Sequence, residues 1–563
     1  MKYFFKKNYS IAFISLATIF FIISILNPNH NLPWVSYFSE KYAFLSFLFL
    51  IFYTLFGTKY IRVPLLALPL FLICLIPILQ YIFDQIVFFE TAFFSFIYLL
   101  FFFFSMVFSF NLKNKIDFEI ILIYCSYIFI FISFFSSLII LIQWLDFTNF
   151  QPYLLKINNS RAYGNLAQPN QMATILCMGL ISLWYIYEKL NYKVIFILSI
   201  AFLLLLSILL TQSRTAWVIL IFLSIFYFFI RKKINLKINV KTLLGLNLFF
   251  IFNALMLPFY NSINPRSNKT IDVLDRMASG HERIDIWKHF FTCVLEQPVW
   301  GYGWYQIQRA NASSLNSYIK LNSTDSTHNL FLDIFLWCGI PLGGLIIVYM
   351  MYLLWSFYKN IKNKDSLFCF ILLIPIVIHS MFEYPLFYSY FLLPLGFLIG
   401  LSIMGYKKTG IFISTKFLYA LGVCFLIFIQ FVDYGYDYMR EKRIFSLREN
   451  RMPRQNENLF QSFIEQKLFD KTNFIIYWIK FNPYQKLDQS EISILGEQVK
   501  VVASKQVLVK YAMLLAYNGH QLETMSILNK INKSYAEKVT YNDLLDPVFY
   551  EKVCQFCYKS SGV

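Results

Sequence analysis

Polar residues of this chain gather in five short segments between long apolar stretches: Arg161–Asn170, Thr211–Trp217, Glu282–Trp304, Thr327–Asp333 and His379–Tyr390. The segments are rich in Arg, His, Gln, Asn, Tyr and Trp. These side chains can bind anions, move a proton and contact sugar rings. Counting the apolar stretches predicts that all five segments lie on the same side of a membrane. This pattern indicates a polar or charged substrate that is handled at one membrane face.

His328 is the candidate general base. We expect the apolar helix that follows to begin here, capped by Ser326 or Thr327, so that His328 lies in its first turn. The positive end of a helix dipole disfavours an imidazolium, and a neutral imidazole can accept a proton from a hydroxyl. For a lone histidine, a structural hydrogen bond at the interface is the commoner role. The neighbouring polar segments favour the catalytic interpretation.

Three arginines, Arg283, Arg214 and Arg161, fall on the predicted outer side, against the usual excess of basic residues inside. Planar guanidinium groups bind phosphate groups through paired hydrogen bonds, so a diphosphate is one interpretation, and surface salt bridges are the alternative. Arg283 lies in a predicted amphipathic helix, ERIDIWKHFFTCVLEQ, and Ser213 is the predicted cap of the helix that starts beside Arg214. Pro169 and Pro385 stand where helix-start prolines would. Helix N-termini on the same face would add backbone N–H groups for an anion.

Amides and aromatic rings in the same segments could bind a glycan. The amides can bond to hydroxyl groups and the rings can lie against sugar faces, although an interfacial aromatic belt also explains the Trp and Tyr residues. The residues concerned are Tyr163, Gln168, Asn170, Trp300, Tyr302, Trp304, Tyr384 and Tyr388.

Several classes of chemistry lack their usual sequence signals. The predicted outer segments contain no paired carboxylates of the DxD type, so a metal ion is not indicated. The chain has no GxxxxGK[ST] motif, so ATP is not the expected energy source. No cofactor is predicted. Asp and Glu are nearly confined to loops and span ends, which argues against proton-coupled transport.

The elements that must position these residues are membrane helices. The chain has 563 residues, of which 58% are hydrophobic and 14% charged, which is too apolar for a soluble protein. We predict an all-α, polytopic membrane protein with about 13 spans, its N-terminus inside and its C-terminus outside. The spans are about 9–26, 42–57, 63–81, 86–110, 118–144, 171–187, 193–210, 215–230, 242–259, 329–357, 366–382, 386–405 and 412–431.

The net charge of +18 does not indicate nucleic acid. Residues 432–563 are nearly balanced, with 18 Lys and Arg against 15 Asp and Glu. The excess lies in short loops on the predicted inner side, as the positive-inside rule requires. The lipid bilayer is therefore the expected environment, and binding to nucleic acid is not expected.

Two domains are predicted. Residues 1–431 form the transmembrane catalytic domain, which includes a periplasmic loop at 260–328. Residues 432–563 form a periplasmic α-helical domain in which Lys505–Lys530 is similar to a tetratricopeptide unit, with Gly519 in the turn. That domain either packs on the membrane face or holds a protein partner. Its expected helices are about 456–469, 472–480, 489–502, 504–517, 521–532 and 543–557.

Five stretches together resemble a known family: RAYGNLAQPNQMAT, LTQSRTAW, ERIDIW with EQPVWGYGW, STHNLFLDIFLWCGIPLGG, and HSMFEYPLFYSYFLLPLG. In this order they resemble the bacterial PglL-type O-oligosaccharyltransferases of the O-antigen ligase/polymerase superfamily, with pilin glycosylation enzymes as the nearest subgroup. The likeness covers about residues 150–405. The GNxxQPN pattern is the part typical of the protein-glycosylating branch.

The resemblance implies a glycosyltransferase of the bacterial inner membrane with its active site facing the periplasm. It implies the transfer of a glycan from undecaprenyl diphosphate, without a metal, to Ser or Thr of an exported protein such as type IV pilin. A ligase acting on lipid A core and a glycan polymerase are alternatives with the same donor chemistry. A flippase for lipid-linked sugars is less favoured, because the polar groups stop at one surface.

The resemblance also implies roles for individual residues. His328 corresponds to the essential loop histidine, Arg283 to the arginine before the loop tryptophan, and Gln168 to the glutamine of the GNxxQPN pattern. Either Tyr384 or Tyr388 corresponds to the catalytic tyrosine of the last motif. The expected substrate-binding residues are Arg214, Arg161, Asn170, Asn329, Trp287, Trp304 and Glu383.

Overall fold

The computed structural model describes residues 2–32, 34–147, 154–155, 161–263, 281–314, 325–403, 410–448, 467–535 and 538–549. Within them, a helix occupies each of the 13 predicted apolar stretches. These helices are α1 Lys2–Leu26, α2 Tyr37–Leu55, α3 Leu68–Ile82, α4 Phe89–Leu112, α5 Phe118–Trp144, α6 Pro169–Lys189, α7 Val194–Leu210, α8 Arg214–Ile230, α9 Val240–Ile263, α12 Leu330–Lys359, α13 Lys364–Ser380, α14 Ser389–Ile403 and α15 Thr415–Arg448.

Seven helical stretches in the described part of the chain are long and apolar enough to cross a membrane. They are Tyr37–Leu55, Leu65–Ile82, Phe89–Leu112, Phe118–Trp144, Val240–Tyr260, Leu330–Lys359 and Thr415–Asp437. Four shorter apolar helices accompany them: Ser10–Leu26, Val194–Leu210, Arg214–Ile230 and Ser389–Ile403. The protein is therefore a multi-pass helical membrane protein. The number of 13 crossings and the N-in, C-out orientation stay predictions.

The expectation of an all-α chain was wrong at one place. β1 (Tyr60–Pro64) and β2 (Gly410–Ser414) form a two-stranded antiparallel sheet in which Tyr60 pairs with Ser414 and Pro64 with Gly410. Each strand lies beside the end of an apolar helix, so sequence periodicity assigned these residues to loops or span ends. Their pairing satisfies backbone groups that would otherwise lack partners.

The remaining helices lie outside the apolar spans. α10 (His281–Glu296) is the amphipathic helix predicted from ERIDIWKHFFTCVLEQ, and α11 (Ile307–Ser313) follows it. The C-terminal helices are α16 Asp470–Lys480, α17 Gln489–Val501, α18 Lys505–Tyr517, α19 Gln521–Tyr535 and α20 Tyr541–Leu545. Gly519, with a φ of 85°, makes the α18–α19 turn as predicted. The predicted helical residues 456–466 and 550–557 lie outside the described residues.

The chain forms two compact units. Unit 1 comprises Met1–Phe71, Leu100–Gly280 and Met351–Tyr434, and unit 2 comprises Leu72–Leu99, His281–Met350 and Gly435–Val563. The predicted domain boundary at 431/432 stays a prediction.

Unit 1 is organised around α6, which is buried along most of its length. It packs on α5, α7, α8 and α13. A Cβ atom at Gly179 would meet Ser133 Oγ at 2.0 Å, so only glycine permits this close approach of α5 and α6. The same holds at Gly400 of α14, where a Cβ atom would lie 2.1 Å from Met106 O of α4.

Unit 2 has its own apolar core among the C-terminal helices. Phe474 and Trp478 of α16 pack with residues of α17 and α18, and Phe88 joins this cluster from the residue before α4. A second cluster fills the space between α18, α19 and α20. These helices therefore bury an apolar face in the way that a soluble domain does.

Candidate active site

Asn170, at the start of α6, is the centre of the polar cluster in unit 1. Its Oδ1 accepts hydrogen bonds from Arg161 NH2 at 3.2 Å and from Ser213 Oγ at 2.8 Å. Its Nδ2 donates to Glu383 Oε1 at 2.9 Å, and Arg161 Nε donates to Thr211 O at 2.9 Å. The predicted residues Arg161, Asn170 and Glu383 are thus brought together, with Asn170 and Glu383 buried.

Side chains cap the starts of both α6 and α8, and only the cap of α8, Ser213, was predicted. Pro169 is the first residue of α6, and Gln168 caps it by accepting a hydrogen bond from Gln171 N at 2.7 Å. Ser213 caps α8 by accepting one from Ala216 N at 3.4 Å. Arg214 is the first residue of α8 and is exposed. Both helix starts therefore lie beside the Asn170 cluster.

Three tyrosines continue this cluster toward α14. The rings of Tyr384 and Tyr388 lie 6.2 Å apart, and those of Tyr388 and Tyr390 lie 5.3 Å apart. Tyr390 is buried and donates to Gln171 Oε1 at 2.7 Å, whereas Tyr384 and Tyr388 are half-buried. Tyr390 thus joins α14 to α6, and the two candidate tyrosines keep accessible surface. Pro385 begins a short 3₁₀ helix, Pro385–Phe387, and α14 itself begins at Ser389.

In unit 2, the segment around His328 differs from the prediction. The prediction of Ser326 or Thr327 as the cap was wrong: α12 begins at Leu330, and Asn329 Oδ1 accepts from Phe331 N at 3.0 Å and Leu332 N at 3.2 Å. His328 therefore precedes the helix instead of lying in its first turn. It has a left-handed φ of 59° and is half-buried.

Asp333, one turn into α12, holds this segment. Its Oδ1 accepts from Thr327 N at 2.8 Å and its Oδ2 from Ser326 Oγ at 2.7 Å. Ser326 Oγ in turn accepts from His328 N at 3.0 Å. The predicted caps thus connect Asp333 to the backbone of His328. Asp333 was not among the predicted site residues, although an acidic residue in the first turn of a helix commonly accepts hydrogen bonds from groups that precede the helix.

Helix α10 lies against the same segment. Trp287 Nε1 donates to Thr327 O at 3.0 Å. Arg283 lies four residues before Trp287, so the two share one face of α10, and both are half-buried. The structure thus places the helix face that carries Arg283 beside the residue preceding His328.

Trp304 has a different environment from the one expected. It is 5% exposed, its ring lies 4.8 Å from that of Trp337, and its backbone N donates to Gln80 Oε1 at 2.9 Å. Its position is that of a packing residue within unit 2. Trp300, on the same turn, is 74% exposed.

The predicted site residues thus fall into two groups. Arg161, Gln168, Asn170, Arg214, Glu383, Tyr384 and Tyr388 belong to unit 1, and Arg283, Trp287, Trp304, His328 and Asn329 belong to unit 2. In the part of the chain that the structure describes, no three His, Cys, Asp or Glu side chains are arranged as metal ligands.

Comparison with known proteins assigns the class. Residues 199–347 match the family described as O-antigen ligase, residues 162–187 the family described as protein glycosylation ligase, and residues 367–541 the family described as virulence factor membrane-bound polymerase, C-terminal. A multi-pass helical protein with these matches is a membrane glycosyltransferase of the O-antigen ligase class.

Two relatives from Acinetobacter baylyi define the family. The chain is 31% identical over 538 residues to a general O-oligosaccharyltransferase, covering 92% of each chain. It is 30% identical over 514 residues to a ComP-specific O-oligosaccharyltransferase, covering 90% of this chain and 89% of the relative. The chain belongs to the PglL-type O-oligosaccharyltransferases.

Proposed function

We propose that this protein transfers a glycan from undecaprenyl diphosphate to a Ser or Thr hydroxyl of an exported protein such as type IV pilin. The reaction takes place at the periplasmic face of the bacterial inner membrane. The similarity over 92% of the chain to an enzyme named for this kind of transfer supports the reaction class. The observation that carries the assignment to this site is the anchored, half-buried His328 beside the α10 face that bears Arg283.

The proposed reaction is a direct displacement. The imidazole of His328 takes the proton of the acceptor hydroxyl while the oxygen attacks C1 of the first sugar. The bond from C1 to the diphosphate oxygen breaks, and undecaprenyl diphosphate leaves with the electron pair. One displacement predicts inversion of configuration at C1.

Arginines take the place of a metal in this proposal. On the basis of their sequence motifs alone, Arg283 and Arg214 are the arginines proposed to neutralise the charge that develops on the leaving diphosphate. The N-termini of α6 and α8 add backbone donors of the same polarity. Arg161 donates to Thr211 O and Asn170, so it contributes mainly by holding the α8 start in place.

The remaining site residues orient the substrates. Gln168 Oε1 is used as the α6 cap, which leaves its Nε2 group to donate to a sugar hydroxyl. Tyr384 and Tyr388 retain accessible ring surface for the glycan or its diphosphate. Asn170, Glu383, Asn329 and Trp287 act by positioning, because each one is hydrogen-bonded to a site segment.

The test is His328→Ala in a host that lacks the chromosomal gene, with His520→Ala as the matched control. His520 lies in the α18–α19 turn. Loss of a general base lowers transfer by about 10²–10⁴-fold. We expect mass spectrometry to show the Ser/Thr-linked glycan restored by the control and lost with His328→Ala, at equal amounts of membrane-inserted protein. Normal glycosylation by His328→Ala would remove His328 from the mechanism.

A glycan polymerase is the second candidate, because residues 367–541 match a polymerase C-terminal family. The same host distinguishes the two. Loss of a protein-linked glycan upon gene deletion supports protein glycosylation. Shortened surface polysaccharide with unchanged protein glycans would support the polymerase.

A further inference from the structure

Unit 1 contains an apolar cavity that the proposed transfer reaction does not use. It lies among α6, α7, α8 and α9 and has a volume of about 110 Å³. Its walls include Trp184, Ile197, Ala201, Leu220, Leu246 and Phe250. Apolar cavities of about this size stay free of water and take up apolar molecules. The cavity can therefore hold a segment of a hydrocarbon chain.

The few polar side chains in the wall do not change this character. Ser224 Oγ lies 2.9 Å from Leu220 O and 3.2 Å from Asn247 Oδ1, and Asn247 Nδ2 donates to Leu243 O at 3.0 Å. These polar groups are hydrogen-bonded to one another: within α8, within α9 and between the two helices. The cavity therefore does not demand water or a polar ligand at its centre.

Basic residues surround one end of the cavity. Lys193, Lys237 and Lys241 are exposed, and each directly precedes a residue of the wall, namely Val194, Ile238 and Thr242. Lys237 Nζ also lies 3.4 Å from the carbonyl oxygen of Tyr187, which lines the cavity.

The ammonium groups of these three lysines form no ion pair among the described residues, although Lys237 N donates to Glu188 Oε2 at 2.7 Å. Lysines at neighbouring helix ends, in contrast, are paired. Lys189 forms ion pairs with Glu119 at 2.8 Å and Asp365 at 2.9 Å, and Lys364 pairs with Glu188 at 2.7 Å. The acidic groups of this region are therefore already engaged. A positive charge remains at the mouth of the cavity.

We propose that this cavity is a binding site for an anionic phospholipid. A segment of one acyl chain occupies the space among α6–α9, and the phosphate group lies against Lys193, Lys237 and Lys241. Basic pockets between membrane helices are a known arrangement for anionic lipid head groups. The positive charge at the mouth favours the phosphate group of the lipid, and the apolar walls favour its acyl chain.

The polyprenyl chain of the glycan donor is a less suitable occupant. The cavity is lined by Leu180–Tyr187 in the second half of α6, whereas the Asn170 cluster and Arg214 lie at the starts of α6 and α8. At 1.5 Å per residue along α6, Leu180 and Tyr187 lie roughly 15 and 25 Å from Asn170. A diphosphate held near Arg214 would not be in contact with the lysines.

The first test is lipid retention by the full-length protein, measured by native mass spectrometry in mild detergent after incubation with phosphatidylglycerol or phosphatidylethanolamine. We expect preferential retention of one phosphatidylglycerol. Each lysine near the head group contributes about 1 kcal/mol, so K237Q/K241Q should weaken retention by about 30-fold. K59Q/K416Q removes the same charge from exposed positions beside the β1–β2 sheet, outside the cavity wall, and should retain the lipid as wild type does.

Ala201→Phe tests the acyl-chain position independently. Ala201 is buried in the wall, and a phenyl ring there would occupy the cavity. We expect reduced retention of phosphatidylglycerol even though all lysines are present. Equal retention of both lipids by wild type, unchanged retention in K237Q/K241Q and Ala201→Phe, or a bound species with a polyprenyl mass would each overturn the proposal.

Discussion

At the scale of single residues, the conformation of His328 is the distinctive feature. A left-handed φ is uncommon in residues other than Gly, although His adopts it more often than most side chains do, and it persists where surrounding contacts hold it. Here the enforcing contacts converge on Asp333, directly through Thr327 N and indirectly through the Ser326 hydroxyl. One carboxylate therefore sets the backbone that presents the proposed base.

Asp333→Asn should lower kcat more than it changes KM. The amide keeps one oxygen for Thr327 N but turns an N–H₂ group toward Ser326 Oγ, which alters the bond to His328 N. Disturbing one such buried bond costs about 1–3 kcal/mol, which corresponds to about a 5–160-fold loss in rate. Transfer of glycan to an acceptor by the purified enzyme measures this effect.

The control for Asp333→Asn is Asp325→Asn in the same segment. Asp325 is exposed and accepts a hydrogen bond from Gln308 Nε2 at 2.6 Å. It should leave kcat near the wild-type value. A kcat for Asp333→Asn equal to that of the control would show that the carboxylate does not position His328.

At the scale of elements, the Asn170 cluster joins α6, the α8 start and the segment after α13. Glu383 is buried and is the acceptor for Asn170 Nδ2. Glu383→Ala would leave that amide without this acceptor, at a cost of about 1–3 kcal/mol. Glu383→Gln keeps an oxygen in place and should retain most of the stability.

The thermal unfolding midpoint in detergent distinguishes the two Glu383 variants. We expect a clear drop for Glu383→Ala and a smaller one for Glu383→Gln. Equal midpoints would indicate that the contact to Asn170 does not hold these segments together.

A second element-scale feature is the break in α12 at Gly339. Its φ is 74°, and a Cβ atom there would lie 2.1 Å from Val299 O. The turn at Gly301 fits into this break, with Tyr302 N donating to Leu336 O and Ile340 N to Pro298 O. The glycines of the GYGW segment and of α12 thus permit one close contact between two chain segments.

Gly339→Ala should destabilise the protein by several kcal/mol, because it combines backbone strain with a clash against a backbone oxygen. Gly344→Ala on the same helix is the matched control. Among the described residues, no heavy atom outside the neighbouring turns of its own helix lies within 4 Å of the added Cβ, and alanine favours a helix by about 1 kcal/mol over glycine. Similar unfolding midpoints for the two variants would contradict this explanation.

At the scale of the whole molecule, the C-terminal helices are connected to an apolar helix by reciprocal caps. Asp470 accepts from Phe89 N at 2.8 Å and Glu90 N at 3.0 Å, at the start of α4. Glu90 accepts from Thr472 N at 2.8 Å and Thr472 Oγ1 at 2.7 Å, at the start of α16. Asp470 of α16 thus accepts from two N–H groups in the first turn of α4, and Glu90 of α4 accepts from Thr472 in the first turn of α16. Burial raises the pKa of Asp470, against the effect of these hydrogen bonds.

Asp470→Ala should loosen the attachment of the C-terminal helices to α4. It removes the acceptor for two backbone N–H groups, at about 1–2 kcal/mol for the lost cap. We expect faster proteolysis within residues 467–549 and a lower unfolding midpoint. Asp488→Ala is the control, since Asp488 caps α17 only locally and is exposed. Equal proteolysis of the two variants would refute this role of Asp470.

The arrangement of apolar helices was predictable from the sequence. Runs of Phe, Leu and Ile near the length of a bilayer determine where helices lie, because their backbone groups must bond within the segment. Local signals were also sufficient for Pro169 and Ser213 at helix starts, Gly519 in a turn and the amphipathic helix α10. The motif order was likewise enough to predict the family.

Only the tertiary structure decided which side chains share hydrogen bonds. Asn170 binds Glu383, which is 213 residues away, and β1 pairs with β2 across about 350 residues, so no local pattern specifies either contact. The cap at Asn329 replaced the predicted caps because Asp333 engages Ser326 and Thr327 instead. Local composition sets the helices, whereas the partners of polar groups depend on which helices meet.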